Sequence, residues 1–230
     1  MELNGLLAIW TDIDKDFIPA FREWHSKEHM ALRIATPGWY VGHRYQGMRG
    51  GPGFLIAYET SDAGDLASKG YHGSLNQPDA RTREALSHYR NSIRTIYRLV
   101  QGAGPALPTD APYYLTLRFD MTAGGGAALQ TLVDKHLPDI VTVPGVLRSR
   151  LYEIDDAISN IVTEERKLYS AGPGKQPFLL TYELARPDVC ESREWKEASV
   201  RYQSNERRVD HQDLFALEFT IYAPGKEKAR

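Results

Sequence analysis

The heptapeptide Phe54-Leu-Ile-Ala-Tyr-Glu-Thr60 recurs 124 residues later as Phe178-Leu-Leu-Thr-Tyr-Glu-Leu184, with four of the seven positions identical. Upstream of it, a second set of matches runs without a gap at a spacing of 107 residues. This set pairs His29, Pro37, Gly38 and Tyr45 with His136, Pro144, Gly145 and Tyr152. The two spacings differ by 17 residues, which locates an insertion between Tyr152 and Phe178. The repeated order predicts an internal duplication.

Each half shows the same order of predicted elements. A β-rich run opens the half, an amphipathic helix follows, and a Pro-Gly pair ends that helix. Two strands, a second helix (about 79–94 and about 193–208) and a closing strand complete the half. This βαββαβ order is that of a ferredoxin-like unit. We therefore predict an α+β protein of two fused ferredoxin-like units, packed sheet to sheet as an intrachain α/β barrel.

The predicted boundaries follow from the linker, which is rich in Gly and Pro. The first unit covers 1–100, the linker 101–111 and the second unit 112–225, with the insertion at about 154–176. A short helix is predicted inside the insertion, which leaves a lid and an oligomer contact open as its roles. A homodimer is likewise left open. An internal barrel removes the need for a second chain to complete the fold, but it does not exclude one.

Composition and charge exclude several classes of protein. The 28 basic and 30 acidic residues are spread over both halves, so no basic stripe indicates nucleic-acid binding. No apolar run approaches the length of a membrane span, and the first residues lack the order of a signal peptide. One cysteine, Cys190, excludes a disulfide framework and suits a reducing compartment. We expect a cytoplasmic protein that binds neither nucleic acid nor membrane.

The first helix carries the strongest candidates for chemistry. Its predicted apolar stripe is Phe17, Phe21, Trp24, Glu28 and Leu32. His25 and His29 lie four residues apart and project to the same side, and regular helical steps put Glu28 near the middle of the stripe. Partial desolvation would bring their pKa values near neutrality, which suits proton transfer. We predict His25, His29 and Glu28 as catalytic residues, with plain hydrogen bonding or packing as the alternative.

Further residues near this helix are predicted to bind a substrate. Arg44 lies on the second strand, where it would pair with Glu28 or Glu59 or bind a substrate carboxylate or phenolate. Tyr71 and His72 are placed in a loop before the second helix. The remaining candidates are aromatic side chains that would line a flat pocket: Trp24, Trp39, Tyr45 and Tyr58. Glu59, His43 or His72 could complete a metal site with His25 and His29, but nothing in the spacing demands it. No nucleotide-binding glycine motif occurs, so neither a metal nor an organic cofactor is predicted.

Several motifs of the first half resemble the dimeric α/β-barrel superfamily, in its EthD-like and related small-enzyme branches. They are Trp24-His25-Ser-Lys-Glu28-His29, Arg33, Pro37-Gly38-Trp39, Gly42-His43-Arg44-Tyr45 and Phe54-Leu-Ile-Ala-Tyr58-Glu59. In the second half, Leu132 and Lys135 replace His25 and Glu28, so the first half is expected to carry the chemistry. The resemblance implies diverse activities, among them cofactor-free monooxygenases, isomerases, cyclases, dehydratases, decarboxylases and some haem enzymes.

These observations favour a small-molecule enzyme. The first hypothesis is a cofactor-independent lyase or isomerase that acts on an aromatic, phenolic compound by acid/base proton transfer. The alternative enzyme is a cofactor-free monooxygenase, in which the pocket stabilises a substrate carbanion that reacts with O₂. The non-enzymatic alternative is a small-molecule-binding protein whose second half only closes the barrel.

Overall fold

A computed structural model describes residues 2–229, and these residues contain a closed barrel of antiparallel strands surrounded by helices. Short side chains at the turns and alternating apolar residues along the strands account for this succession of strands and turns. The strands in chain order are β1 (Gly5–Ile13), β2 (Trp39–Gly47), β3 (Phe54–Thr60), β4 (Tyr89–Ala103), β5 (Tyr113–Met121), β6 (Val146–Ile154), β7 (Phe178–Leu184) and β8 (Arg207–Tyr222).

The helices lie outside the barrel. Two of them contain a π-helical turn: α1 comprises Ile18–Trp24, the π-turn His25–His29 and Met30–Ile34, and α4 comprises Gly126–Thr131, the π-turn Leu132–His136 and Leu137–Ile140. The others are α2 (Lys69–Leu75), α3 (Ala80–Ser87), α5 (Asp156–Ser159), α6 (Glu164–Leu168) and α7 (Arg193–Arg201). Short 3₁₀ turns cover Lys15–Phe17, Ala63–Ala67 and Val189–Glu191. Among residues 2–229, no helix is both long and apolar enough to span a membrane.

The strand order around the barrel is β1-β3-β2-β8-β5-β7-β6-β4. Each half therefore forms a four-stranded sheet, in the orders β4-β1-β3-β2 and β8-β5-β7-β6, which are those of a ferredoxin-like unit. The sheets join edge to edge, because β2 pairs with β8 and β4 pairs with β6. The α+β class and the barrel are confirmed. The prediction of sheet-to-sheet packing is incomplete. The β2–β8 and β4–β6 pairs join the two sheets by hydrogen bonds into one continuous barrel. The duplication remains an interpretation of the sequence repeats.

Alternation along the strands creates apolar layers on both sides of the barrel wall. Inside the barrel, a cluster that includes Trp10, Tyr45 and Tyr114 is buried. Arg148 is also buried there and bonds to both Glu59 and Glu183, one from each half. Outside the wall, one apolar cluster packs under the helices of each half. The recurrent glutamates thus link the two units, and the cavities lie on the helix side.

Several predicted boundaries differ from the structure. The second helix of each half is shorter than predicted, because Tyr89 and Arg207 already begin the long strands β4 and β8. Strand β4 also continues to Ala103, three residues into the predicted linker. The segment around Tyr71 is not a loop but helix α2, whose first turn is capped by the Ser68 side chain. The Pro-Gly turns are as predicted, with Gly38 and Gly145 at φ values of +88° and +97° that favour glycine.

The insertion does not stay with the unit whose strands it connects. It leaves β6 in the second half, crosses to the first half and returns to β7. Along the way, Gly172 accepts a hydrogen bond from the backbone of Arg94, at 2.9 Å. Its helix α6 lies over a cavity on the helix side of the first half.

Candidate active site

A cavity of about 30 Å³ lies between the sheet and the helices of the first half. Leu7, Ile9 and Ile56 form its apolar floor on the sheet. The polar side chains that line it are His25, His29, Arg33, Tyr58, Tyr71, Tyr89, Arg94, Glu165 and Tyr169. A cavity of this size holds about one water molecule. In this closed form it has no room for an aromatic ring.

The π-turn determines which side chains of α1 face the cavity. The backbone N–H of Met30 donates to the carbonyl of His25, five residues back, so the turn holds one more residue than an α-helical turn. The extra residue rotates everything after His25, and both His25 and His29 therefore line the cavity. The predicted position of Glu28 is wrong, because its carboxylate lies at the surface and pairs with Arg81. Leu32 is also wrongly placed in the stripe, with 59% of its surface exposed.

Contact with Arg44 holds His25 in one tautomer. Arg44 donates through Nη1 to His25 Nδ1, at 3.2 Å. Because a guanidinium can only donate, Nδ1 must accept and the proton of the neutral ring sits on Nε2. Burial, together with the charges of Arg44 and Arg33, lowers the pKa of His25 well below its ordinary value. His25 is therefore a neutral hydrogen-bond donor at neutral pH, and its Nδ1 is already occupied.

His29 differs from His25 because no described residue occupies its Nδ1, which accepts a proton when the proton of the neutral ring lies on Nε2. Its Nδ1 is buried and has no hydrogen-bond partner within residues 2–229. The ring packs against Trp24, with the centroids 4.5 Å apart. Burial, Arg33 and His25 lower the pKa of His29 well below its ordinary value. A neutral imidazole with an open nitrogen can take a proton from a bound molecule.

Arg33 and Arg94 bring positive charge to the cavity. Arg33 bonds to Glu165 and to Ser74 Oγ, the latter at 2.8 Å. Arg94 donates to the Tyr71 hydroxyl at 3.2 Å. In the described part of the chain, Arg94 forms no ion pair although it is 6% exposed. An anion that enters this cavity would meet a cation whose charge is not neutralised by a carboxylate.

Tyr58 supplies a further polar group. Its hydroxyl is buried without a hydrogen-bond partner among the described residues. Burial raises its pKa, so the side chain remains a neutral phenol. Such a hydroxyl can donate to an oxygen that develops negative charge.

The structure brings together only part of the predicted site. His25, His29, Tyr58 and Tyr71 line the cavity as one group. Trp24 and Trp39 lie one layer behind it, Trp24 against His29 and Trp39 against Tyr58 and Tyr71, with both tyrosine centroids 4.9 Å away. These two tryptophans pack against the lining residues and do not contact the cavity.

The other predicted binding residues lie elsewhere. Tyr45 points into the barrel and stacks on Tyr114 at 5.0 Å, because alternation puts it on the opposite face from Arg44. His72 is half-buried on α2 outside the cavity lining. Arg44 reaches the helix side, but it pairs with Glu218 at 2.9 Å instead of Glu28 or Glu59. Arg44 therefore orients His25 and does not line the cavity.

The residues that carry the charge of the cavity were not among the predicted site residues. Arg33 belongs to the quoted motifs and lies one turn after His29, which was a usable signal. Arg94 was expected at the end of a helix, so its position within strand β4, beside the cavity, was not predicted. Glu165 and Tyr169 come from the insertion. Their distance along the chain gave no indication that they close a cavity in the other half.

The second half contains a counterpart of this cavity, with a volume of about 190 Å³. His136 and Tyr182 line it at the positions of His29 and Tyr58. Here the two side chains bond to each other, with His136 Nε2 and the Tyr182 hydroxyl 2.7 Å apart. Arg207 also lines the cavity. No cluster of three or more His, Cys, Asp or Glu that could hold a metal occurs in either half, from residue 2 to residue 229.

Comparison of the whole chain with solved structures shows its fold. An anthrone oxidase-like protein superposes with a TM-score of 0.63 at 13% identity, covering 100% of this chain and 97% of its own. A protein assigned as a monooxygenase from Fusobacterium nucleatum superposes with a TM-score of 0.60 at 8% identity, covering 100% and 99%. A mutant chlorite dismutase from Candidatus Nitrospira defluvii gives 0.58 at 11%, covering 95% and 93%. The chain has the fold of the dimeric α+β barrels.

At such low identity the likeness establishes the fold alone. No protein-family model matches the chain, and no curated protein matches its sequence. The fold expected from the motifs is thus supported, whereas the superfamily and its EthD-like branch remain predictions. The fold alone does not assign a reaction, because one fold supports many unrelated functions.

Proposed function

We propose that the protein is a cofactor-independent monooxygenase that oxidises an aromatic, phenolic compound through its carbanion. The observation that carries this proposal is a cavity lined by His29, Arg33, Arg94 and Tyr58, in which His29 Nδ1 and the Tyr58 hydroxyl have no partner among residues 2–229. Proteins of this fold bear names such as anthrone oxidase-like and monooxygenase, which is compatible with the proposal. The sequence-based first choice, a lyase or isomerase, becomes the second reading.

The reaction begins with proton removal. His29 Nδ1 takes a proton from a carbon whose anion the aromatic system delocalises onto an oxygen. Tyr58 and the Nε2–H of His25 donate to that oxygen. The carbanion reacts with O₂ to a peroxide, which loses water and leaves a carbonyl. A CH₂ group and O₂ thus yield C=O and H₂O, and the substrate supplies all the electrons.

Stabilisation of the substrate anion by the arginines determines whether a histidine of low basicity can remove the proton. A lowered pKa makes His29 a weak base, so the anion that forms needs stabilisation. A unit charge 4 Å from a cation gains about 4 kcal/mol at an effective dielectric constant near 20. That corresponds to about three pKa units on the substrate. Arg33 and Arg94 can therefore offset the low basicity that burial imposes on His29.

Oxygen uptake tests the proposal. We expect purified protein to consume O₂ with anthrone and to place one atom of ¹⁸O₂ in the product. His29→Ala should lower kcat at least about 100-fold, as for loss of a general base. His136→Ala, the matched variant in the second half, should leave kcat within about twofold. Turnover of anthrone or of a naphthol without O₂ consumption would replace the monooxygenase by the lyase or isomerase reading. Equal effects of the two variants would remove His29 from the site.

A further inference from the structure

The insertion is fixed to the first half at both ends. At its start, the Asp155 carboxylate accepts from Arg98 Nε on β4 at 2.6 Å, and Ser159 Oγ bonds to the backbone of Ile96. At its end, Gly174 donates through its backbone N–H to Thr95 Oγ1 at 2.8 Å. The anchors all lie on β4. The stretch between them, residues 160–170, spans the cavity.

That middle stretch has contacts of two kinds. Inside it, Arg166 donates to the carbonyls of Ser159, Ile161 and Ala171, which braces the stretch as one piece. Toward the first half, Glu165 pairs with Arg33, and the backbone of Glu164 donates to Asn76 Oδ1 at 3.1 Å. The Arg166 bonds tie the stretch to its anchored ends and do not involve Glu165, so the Glu165 carboxylate can leave Arg33 while the stretch stays attached to β4.

The charges of the cavity do not balance. Arg33 and Arg94 flank Tyr71: the guanidinium of Arg33 lies over the Tyr71 ring at 5.8 Å, and Arg94 bonds to the Tyr71 hydroxyl. Glu165 is the carboxylate in the lining, and it pairs with Arg33. Burial raises the pKa of Glu165, against the opposing effect of Arg33 and Arg94. One positive charge in a buried place thus lacks a carboxylate partner within residues 2–229, which favours binding of a further anion.

The cavity volume requires a displacement. About 30 Å³ does not hold an aromatic ring, and Glu165 and Tyr169 of the insertion fill the side away from the sheet. Any aromatic guest must therefore move this part of the insertion. Glu165 has to leave Arg33 when that happens, and Arg33 then needs a new anionic partner.

We infer that Glu165 holds the place of the substrate's own carboxylate, and that the substrate is an aromatic carboxylate which displaces Glu165 from Arg33 and binds Arg33 and Arg94. The inference rests on the proposed function only in placing the active site in this cavity. It names the substrate class, and it makes Glu165 on α6 a competitor of the substrate for the same arginine.

A binding experiment with matched probes tests this inference. Calorimetric titration at pH 7.5 compares 1-hydroxy-2-naphthoate with 1-naphthol, which lacks the carboxylate. The wild-type protein should bind the naphthoate at least 10-fold more tightly than the naphthol. Glu165→Gln should tighten naphthoate binding about 10-fold further, because the competing carboxylate is gone, and should leave naphthol unchanged. The adjacent control Glu164→Gln, which alters an exposed ion pair with Lys167, should change neither.

Three results would overturn the inference. One is equal or tighter binding of 1-naphthol to the wild type, and another is unchanged naphthoate affinity in a folded Glu165→Gln variant. The third is failure of the wild type to bind the naphthoate at all. Because the two wild-type comparisons need no variant, the inference stays falsifiable even if Glu165→Gln does not fold. Circular dichroism and thermal melting identify that case.

Binding and turnover separate the inference from the proposed function. The titrations are made under nitrogen, and oxygen uptake is measured apart from them. Naphthoate binding in the expected pattern without O₂ consumption by any aromatic substrate would keep the carboxylate site and reject the monooxygenase. Oxygen consumption with a neutral aromatic compound, together with no preference for the naphthoate, would do the reverse.

Discussion

The helix-side cavities of the two halves place a histidine and a tyrosine at equivalent points and use them differently. In the second half, His136 and Tyr182 bond to each other at 2.7 Å. In the first half, His29 Nδ1 and the Tyr58 hydroxyl are both buried, and neither has a partner among the residues that the structure describes. Nδ1 of His136 also lacks a partner there, so the difference between the halves is the tyrosine hydroxyl, which is bonded to histidine in the second half and unbonded in the first.

The surroundings explain the difference. Both π-turns occur at the same place, 107 residues apart, so helix geometry is not its cause. Trp24, which packs on His29, has Thr131 as its counterpart. Arg33 corresponds to Ile140 at the same spacing. Arg94 faces Ile9 across the strands, and Gln212 faces Leu117 in the second half. The first cavity therefore gains an aromatic support and two cations.

This contrast shows which half accepts the larger cost in stability. Buried polar groups without partners and a buried excess of charge both cost stability. Such costs are found at functional sites, where the rest of the fold compensates for them. The second half carries fewer of those costs, because its tyrosine hydroxyl is bonded and Ile140 stands at the position of Arg33. Substitutions that make one half resemble the other are therefore the sharpest tests.

The largest effect is expected from Arg33→Ile, which copies Ile140 into the first half. Glu165 would then be a buried carboxylate without a partner, and loss of one member of a buried pair costs about 3–5 kcal/mol. The double variant Arg33→Ile/Glu165→Leu should recover most of that loss, because both charges are removed. Urea denaturation gives the free energy of unfolding. As a control, Arg81→Ile breaks the exposed pair with Glu28 and should cost below about 1 kcal/mol. A loss below that value for Arg33→Ile would mean that the buried pair is unimportant.

A smaller effect concerns pH and the second half. Burial and the charge of Arg207 lower the pKa of His136 from 6.5 to about 4. The unfolded chain then takes up a proton at higher pH than the folded protein does. The free energy of unfolding should accordingly fall as the pH falls from about 6.5 to 4, by about 3 kcal/mol from this residue. His136→Gln should show a flatter profile in urea denaturation across that window. Parallel profiles for the two proteins would contradict the assignment.

The smallest effect separates the two tyrosines. Tyr182→Phe leaves His136 without its hydrogen-bond partner and should lower the free energy of unfolding by about 1–3 kcal/mol. Tyr58→Phe removes a hydroxyl that already lacks a partner in the described chain, so the stability should stay nearly the same or rise. Under the proposed function, Tyr58→Phe should lower kcat while Tyr182→Phe does not. Denaturation gives the free energy of unfolding and oxygen uptake gives kcat for the same preparations. Equal changes of both quantities in the two variants would contradict the distinction between the halves.

Much of the fold could be predicted from local patterns. The repeat around Phe54 and Phe178 and the Pro-Gly turns at Gly38 and Gly145 are in the structure as elements of the predicted type. Alternation along β2 correctly put Arg44 and Tyr45 on opposite faces, although Tyr45 was then assigned to the wrong pocket. The second helices were predicted too long, because β-branched residues near the starts of β4 and β8 did not outweigh the helical pattern.

The candidate site was predictable only where local geometry held. His25, His29, Tyr58 and Tyr71 were found because they lie near each other on regular elements. Glu28 failed for a physical reason: regular helical steps assume an α-helix, and the π-turn adds a residue that turns Glu28 outward. Nothing in the composition of residues 25–29 announces that turn.

The sequence by itself determined the order of strands and helices and the position of the histidine helix, because periodicity and turn residues act between neighbours in the chain. Tertiary structure alone decided which charges meet in the first cavity. Arg33 and Glu165 are 132 residues apart and touch because the insertion crosses from one half to the other. Contacts between such distant segments depend on how a whole segment packs, and no local pattern carries that information.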